Sequence, residues 1–139
     1  MMNQHLLIVD DQGDLRRMLR IALGYGKYVM HEADNGTDAL RIAERVTPDV
    51  IVLDVMMPGP MNGLDVCRAI KRSPQFDGSY VVLLTALGQD EDIAAGRAAG
   101  ADAYFVKPFS PAQLIETIES RSASQDAMRV AGPGRPHFH

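Results

Sequence analysis

The sequence predicts an α/β fold: a doubly wound parallel sheet of five strands, in the order 2-1-3-4-5, with helices on both faces. Three observations predict it. Short apolar runs alternate five times with stretches of helical periodicity. The runs are continuous and lack a period of two, as expected of strands covered on both sides. The chain of 139 residues suits one domain with one core. Right-handed crossovers leave few topologies, and the order 2-1-3-4-5 puts the switch point between strands 1 and 3.

The first run leads from His5 to Asp10 and Asp11. In the helix that follows, Leu15, Met18, Leu19 and Ala22 stand at i, i+3, i+4 and i+7 and share one face. Gly24 is placed to end it in a left-handed cap. A short second strand covers Tyr28 to Ala33. Asn35-Gly36-Thr37 opens a second helix with Ala39, Leu40, Ala43 and Val46 on one side, and Thr47-Pro48 stops it.

The third strand, Val50 to Leu53, leads to Asp54 and a loop rich in turn residues through Gly63. A third helix follows from about Leu64 to Lys71, with Val66, Ala69 and Ile70 inward. The fourth strand spans Tyr80 to Leu84, before Thr85. The fourth helix, Glu91 to Ala99, is poor in large apolar residues and carries Gly96, which costs roughly 1 kcal/mol against alanine. It is predicted to be the least stable helix and a natural moving part. Gly100 caps it.

The fifth strand, from Tyr104, precedes Lys107-Pro108. Ser110-Pro111 starts the last helix, hydroxyl at the N-cap and proline in the first turn, with Leu114, Ile115 and Ile118 as its buried stripe. The stripe fades beyond about Gln125, and Gly132 to Pro136 reads as loose chain. The predicted organisation is a single domain over 1–124 and a flexible C-terminal tail over 125–139, with no output domain following.

Composition excludes several function classes. No apolar run approaches the roughly 20 residues of a membrane helix. Met1 to His5 lead straight into a strand pattern, without the charged and apolar regions of a signal peptide. The one cysteine, Cys67, is read as a small packing residue and fits a reducing, cytoplasmic setting. A net charge of −4, scattered basic residues and an absence of tryptophan argue against direct nucleic-acid binding. His5 and His31 are read as surface or edge residues, and His137 and His139 as an unremarkable pair.

The chemistry lies at the strand ends. In a parallel sheet, ends of one polarity share an edge, so Asp10, Asp11, Asp54, Thr85 and Lys107 should gather in one cleft. The plain alternative for Asp10 or Asp11 is capping of the first helix, but Asp14 is also available for that. Three crowded carboxylates repel one another unless matched by positive charge. Mg²⁺ favours carboxylates, carbonyl oxygens, water and phosphate oxygens. Three carboxylates, one such cation and the Lys107 ammonium sum to zero. Lys107 must span two strand spacings, roughly 10 Å, to meet Asp54; otherwise it is an ordinary surface lysine. Thr85 has either a phosphoryl oxygen or nearby backbone as its partner. Tyr104 is a candidate core aromatic.

Taken together and in order, Asp10-Asp11, Asp54 with Met57-Pro58 and Gly63, Thr85-Ala86, Gly100-Ala101-Asp102 and Lys107-Pro108 resemble the receiver domains of two-component response regulators, of the chemotaxis-regulator-like kind. The match spans about Leu6 to Arg121. The resemblance implies the flavodoxin-like strand order and a role for each residue. Asp54 would take a phosphoryl group from a sensor histidine kinase or a histidine phosphotransfer protein. Asp11 and Asp54 would hold Mg²⁺ by their side chains, Asp10 largely through water, and Met56 by its carbonyl. Lys107 would pair with one phosphoryl oxygen and Thr85 with another. Thr85 and Tyr104 would form the switch, and the Lys107-Pro108 bond would be cis.

The implied activity is self-catalysed phosphoryl transfer with slow autodephosphorylation, not conventional enzyme turnover. Neutralised charge on the transferring oxygens and in-line placement drive it. The aspartyl phosphate formed then biases the fourth helix and fifth strand. A downstream protein target, or the next member of a phosphorelay, would engage the face of helix 4, strand 5 and helix 5. Two positions near the site, Met56 and Leu87, are apolar and are expected to limit water access.

The loop from Met57 to Gly63 is one residue longer than the usual family pattern, and the extra residue is expected to bulge at Gly59-Pro60. Three other readings compete. The chain is a receiver cut from a longer regulator with an output domain; or a Mg²⁺-dependent hydrolase with an aspartyl nucleophile; or a flavin protein of similar fold. The hydrolase needs an acid two residues after the nucleophile, where this chain has Met56. The flavin protein needs a phosphate-cradling loop that is not evident.

Overall fold

The apolar runs and amphipathic stretches assemble as the periodicity dictates in the computed structural model, which describes residues 4–24, 27–121 and 127–133. The elements are β1 (Gln4–Val9), α1 (Gly13–Leu23), β2 (Tyr28–Ala33), α2 (Gly36–Val46), β3 (Val50–Asp54), α3 (Gly63–Arg72), β4 (Tyr80–Thr85), α4 (Asp90–Ala98), β5 (Ala103–Val106), α5 (Pro111–Glu119) and β6 (Arg129–Ala131). A 3₁₀ turn, Pro74–Phe76, links α3 to β4. All strand pairs are parallel, in the order β2-β1-β3-β4-β5-β6. No helix among the described residues is long and apolar enough to cross a membrane.

Successive side chains of a strand point to opposite faces, and here both faces are dry. Leu7, Val9, Ile51, Leu53, Val81 and Leu83 pack under α2, α3 and α4, with Ala39, Ala43, Val66, Cys67, Ile70 and Ile93. Leu6, Ile8, Val50, Val52, Val82 and Leu84 pack under α1 and α5, with Leu19, Leu23, Leu114 and Ile118. β3 and β4 are buried at every position, which is why they read as unbroken apolar runs.

Polar side chains fix the helix starts. Asn35 accepts from the Asp38 N–H, and Ser110 accepts from the Gln113 N–H beside Pro111. Asn62 and Asp65 close a reciprocal capping box at α3, and at α4 the Asp92 carboxylate accepts the Gln89 N–H at 3.1 Å. Thr47 ends α2 in a left-handed conformation, φ 45°, ahead of Pro48.

Two expectations are corrected. Gly24 ends α1 with φ −84°, in the right-handed region: the helical turn runs on through it and needs no left-handed reversal. The stretch expected to be a loose tail contributes a sixth strand: Arg129, Val130 and Ala131 pair with Ala103, Tyr104 and Phe105 of β5. Three residues followed by Gly132-Pro133 carry too little periodicity to be read as a strand, but the outer edge of β5 supplies the hydrogen-bonding partners. His137 and His139 lie outside the described residues.

Candidate functional site

β1 and β3 are neighbours, and both end at the same edge of the sheet. Asp10 follows β1 and Asp54 closes β3, so their carboxylates meet. One oxygen from each of Asp10, Asp11 and Asp54 falls within a group spanning no more than 4.8 Å. Asp10 and Asp54 are buried, whereas Asp11 is exposed to solvent. The predicted acidic trio is therefore assembled, with one open side.

Each buried carboxylate uses one oxygen locally. Asp10 Oδ1 accepts the Gln12 N–H at 2.8 Å, and Asp54 Oδ1 accepts the Met56 N–H at 3.0 Å. Asp10 thus helps to turn the chain into α1 as well as facing the cleft. The other oxygens face Lys107, whose Nζ lies 3.1 Å from Asp54 Oδ2 and 3.5 Å from Asp10 Oδ2. The lysine crosses from β5 over β4, as its predicted reach requires. Its backbone N–H is held by the Thr85 carbonyl at 2.8 Å, and the Lys107-Pro108 bond is cis.

The charges do not balance with side chains alone. Three carboxylates face one ammonium, two of them in a dry setting. Burial holds the Asp10 carboxyl above its ordinary value; the Gln12 N–H opposes this, Asp54 adds to it, and Lys107 offsets part. A hard oxygen donor set with surplus negative charge and one open side fits a divalent cation of the Mg²⁺ type.

Thr85 closes β4, next to β3, and is fully buried. Its hydroxyl oxygen accepts the Leu87 N–H at 3.2 Å, and the Leu87 carbonyl accepts the Tyr104 hydroxyl at 2.7 Å. Tyr104 is 1% exposed and packs against Gly96 of α4. A Cβ on Gly96 would fall 2.7 Å from the Tyr104 ring, which gives that glycine a packing reason in addition to its helical cost. Thr85 and Tyr104 are thus linked through one residue. The side chain of Met56 is 59% exposed, and its N–H serves Asp54. Leu87 is half-buried and packs on the core.

The loop after β3 turns at Gly59, φ 93°, where nothing lies within 4 Å of a notional Cβ. It returns tightly: a Cβ on Gly63 would stand 2.2 Å from the Asp54 carbonyl oxygen. Glycine there lets the start of α3 press on the backbone that carries Asp54.

Sequence reasoning overlooked Arg16. Its guanidinium donates to the Asp10 carbonyl at 2.6 Å and to Glu32 of β2 at 3.1 Å. It lies on α1, one residue from the apolar stripe, and nothing in that pattern marks it. His5 and His31 also do more than occupy an edge: His5 Nδ1 lies 2.9 Å from His31 Nε2. With ring centroids 5.2 Å apart, the two nitrogens face each other along the line between the rings, so one imidazole donates to the other.

Residues 6–119 match the family model described as "Response regulator receiver domain". The chain is 38% identical over 125 residues to the DNA-binding response regulator MtrA of Mycobacterium tuberculosis, covering 90% of this chain and 53% of that protein. It is 38% identical over 122 residues to the transcriptional regulatory protein ResD of Bacillus subtilis, covering 86% and 49%. The chain therefore spans about half the length of these curated relatives. Among solved structures, the chemotaxis response regulator CheY4 of Vibrio cholerae superposes with a TM-score of 0.77 at 32% identity, covering 85% of this chain and 98% of that one. A BeF3-activated DrrB receiver domain also gives 0.77 at 32% identity, covering 85% and 96%.

Proposed function

This chain belongs to the response regulator receiver domain family, and from that premise we propose that it is a phosphorylation-controlled switch with Asp54 as its phosphoacceptor. The observation that carries the assignment is the Lys107 ammonium 3.1 Å from Asp54 Oδ2, within a cluster that also holds Asp10 and Asp11. The donor is the phosphohistidine of a sensor histidine kinase or a histidine phosphotransfer protein. An Asp54 carboxylate oxygen attacks phosphorus. The P–O bond forms as the P–N bond breaks; the donor's other ring nitrogen is already protonated, so the P–N electron pair stays on the ring and the imidazole leaves neutral.

Asp10, Asp11 and Asp54, with the Met56 carbonyl, would hold Mg²⁺, which when bound supplies positive charge to the transferring phosphoryl oxygens. The chain's own residues do the rest. The Met56 N–H fixes the Asp54 carboxylate. Lys107 meets charge on one phosphoryl oxygen, and the Thr85 hydroxyl turns to donate to another. That turn disturbs the Leu87 N–H now held by Thr85 Oγ1, and Leu87 also carries the Tyr104 hydroxyl. The change passes to α4 and β5, and through that side of the domain to a protein target.

A second reading is favoured by the half-length match to MtrA: these residues serve as the receiver portion of a longer regulator. The genomic reading frame beyond His139 decides between the two. The primary test is incubation with acetyl phosphate and Mg²⁺ followed by intact mass. The expected result is one added phosphoryl group, lost in Asp54→Asn. A gain that persists in Asp54→Asn overturns the assignment.

A further inference from the structure

β5 would be the edge of the sheet were it not for β6, and an edge strand is a row of unpaired donors and acceptors. The chain covers that row with its own residues. Arg129 N–H donates to the Asp102 carbonyl at 3.1 Å, and Arg129, Val130 and Ala131 run in register with Ala103, Tyr104 and Phe105. The side chains divide between the two cores. Val130 joins Tyr104 and Val106 on the α4 side, with Met128 packed beside them, and Ala131 joins Phe105 on the α5 side.

The fit is selective. Gly132 has φ 135°, and a Cβ there would fall 2.5 Å from the Val106 carbonyl oxygen and 2.7 Å from the Val106 Cβ. Only glycine allows the chain to leave β5 at that point. Opposite Tyr104 the edge takes an aliphatic residue, opposite Phe105 a small one, and beside Val106 a glycine. Arg129 anchors the start, its guanidinium donating to Ser120 Oγ at 2.8 Å. A strand of three residues on the outside of a sheet draws on few hydrogen bonds, and such elements open at lower cost than the sheet they cover.

We infer that the outer edge of β5 is a strand-accepting docking surface, held closed by the chain's own Met128–Gly132 segment. Its partner presents an extended segment with an aliphatic residue, a small residue and a glycine in succession. Docking is by strand addition parallel to β5: main-chain bonds supply affinity, and the alternate side chains and the glycine supply selectivity. Access requires the resident strand to leave, so it competes as a tethered ligand, at an effective concentration on the order of millimolar for a short linker. This extends the protein-contact part of the receiver reading, and it needs no phosphoryl group to operate.

The test uses a synthetic peptide spanning Ala127 to Pro133, added to the full chain and to its Gly132→Val variant. Amide signals of Ala103 to Val106 report binding. Saturable shifts are expected in Gly132→Val, at least tenfold weaker binding in the unaltered chain, and loss of the effect for a peptide carrying valine in place of its glycine. Equal binding to both chains, or binding to neither, overturns the inference. Hydrogen exchange of the unaltered chain provides a measurement that does not depend on the variant folding. Arg129 to Ala131 should exchange at least tenfold faster than β1, β3 and β4; exchange together with those strands refutes a displaceable segment. Neither readout involves phosphorylation, so failure here leaves the acetyl phosphate result standing, and the reverse also holds.

Discussion

The Lys107 ammonium stands 3.1 Å from the Asp54 carboxylate, although β4 separates the strands that lead to them. One cation thereby serves two buried carboxylates, since Asp10 lies 3.5 Å from the same nitrogen. Lys107→Ala should slow phosphorylation by acetyl phosphate roughly a hundredfold, in the range for removing one preorganised donor. Lys107→Arg should rescue little, because a planar fork does not replace a compact ammonium. Initial rates read by intact mass check both.

Gly63→Ala puts a methyl group where the Asp54 carbonyl oxygen stands 2.2 Å away. Overpacking at a buried backbone contact costs on the order of 1–3 kcal/mol. A lowered urea midpoint is expected, with slower phosphorylation because the Asp54 backbone must shift. A variant matching the parent in both measurements would show that α3 does not brace Asp54.

Burial holds the Asp10 carboxyl above its ordinary value. Its folded value exceeds its unfolded one, so the folded chain binds the proton more tightly, and ionised Asp10 weakens the fold once pH passes the ordinary carboxylate range. Asp10→Asn should therefore stabilise the metal-free chain at neutral pH. With saturating Mg²⁺ that advantage should shrink or reverse. Urea unfolding in chelator and in Mg²⁺ separates the cases.

How much of this was legible in the chain alone follows from the kind of signal each feature leaves. Asp10, Asp11, Asp54, Thr85 and Lys107 all sit where an apolar run stops, and a parallel sheet turns that linear fact into a shared edge. The strand order followed from handedness and alternation. β6 left no such mark, because its hydrogen bonds depend on the outer edge of β5 and not on a pattern in Arg129–Ala131. Arg16 was hidden for a related reason. Its partners, the Asp10 carbonyl and Glu32, are a backbone atom and a residue of another strand. The His5–His31 contact was equally silent, since it needs the register of β1 on β2.

That imidazole pair sets a pH dependence. Burial lowers the His31 value, with His5 and Arg45 adding to the effect. The backbone N–H of His5 donates to Asp49 Oδ2 at 2.8 Å, so the strand beneath the pair is pinned. The folded chain binds fewer protons than the unfolded one, so the stabilisation is complete above the ordinary value of 6.5 and is lost as pH falls through the lowered folded value. His31→Gln should flatten the thermal melting curve over that window. Carboxylate protonation affects both proteins alike, so the difference between their profiles is the measurement.

Met56 and Leu87 carry apolar side chains, one exposed and one half-buried, on residues whose N–H groups meet Asp54 Oδ1 and Thr85 Oγ1. Replacing both with polar residues, Met56→Asn with Leu87→Gln, should shorten the phosphoryl lifetime about tenfold, equivalent to roughly 1.4 kcal/mol of barrier. Decay of the phosphorylated mass after removal of the donor reads it. An unchanged lifetime would show that these side chains do not govern the entry of water.

Arg16 gives the outermost strand on the far side of the sheet a stake in the chemistry. β2 contributes no reacting atom, yet Glu32 steadies the guanidinium that grips the main chain at Asp10, and Arg20 steadies Glu32 in turn. The first acidic residue is therefore moored from behind, through a tie between a helix and a peripheral strand. Evolutionary drift at Glu32 would loosen the footing of Asp10 without removing any of the three clustered carboxylates.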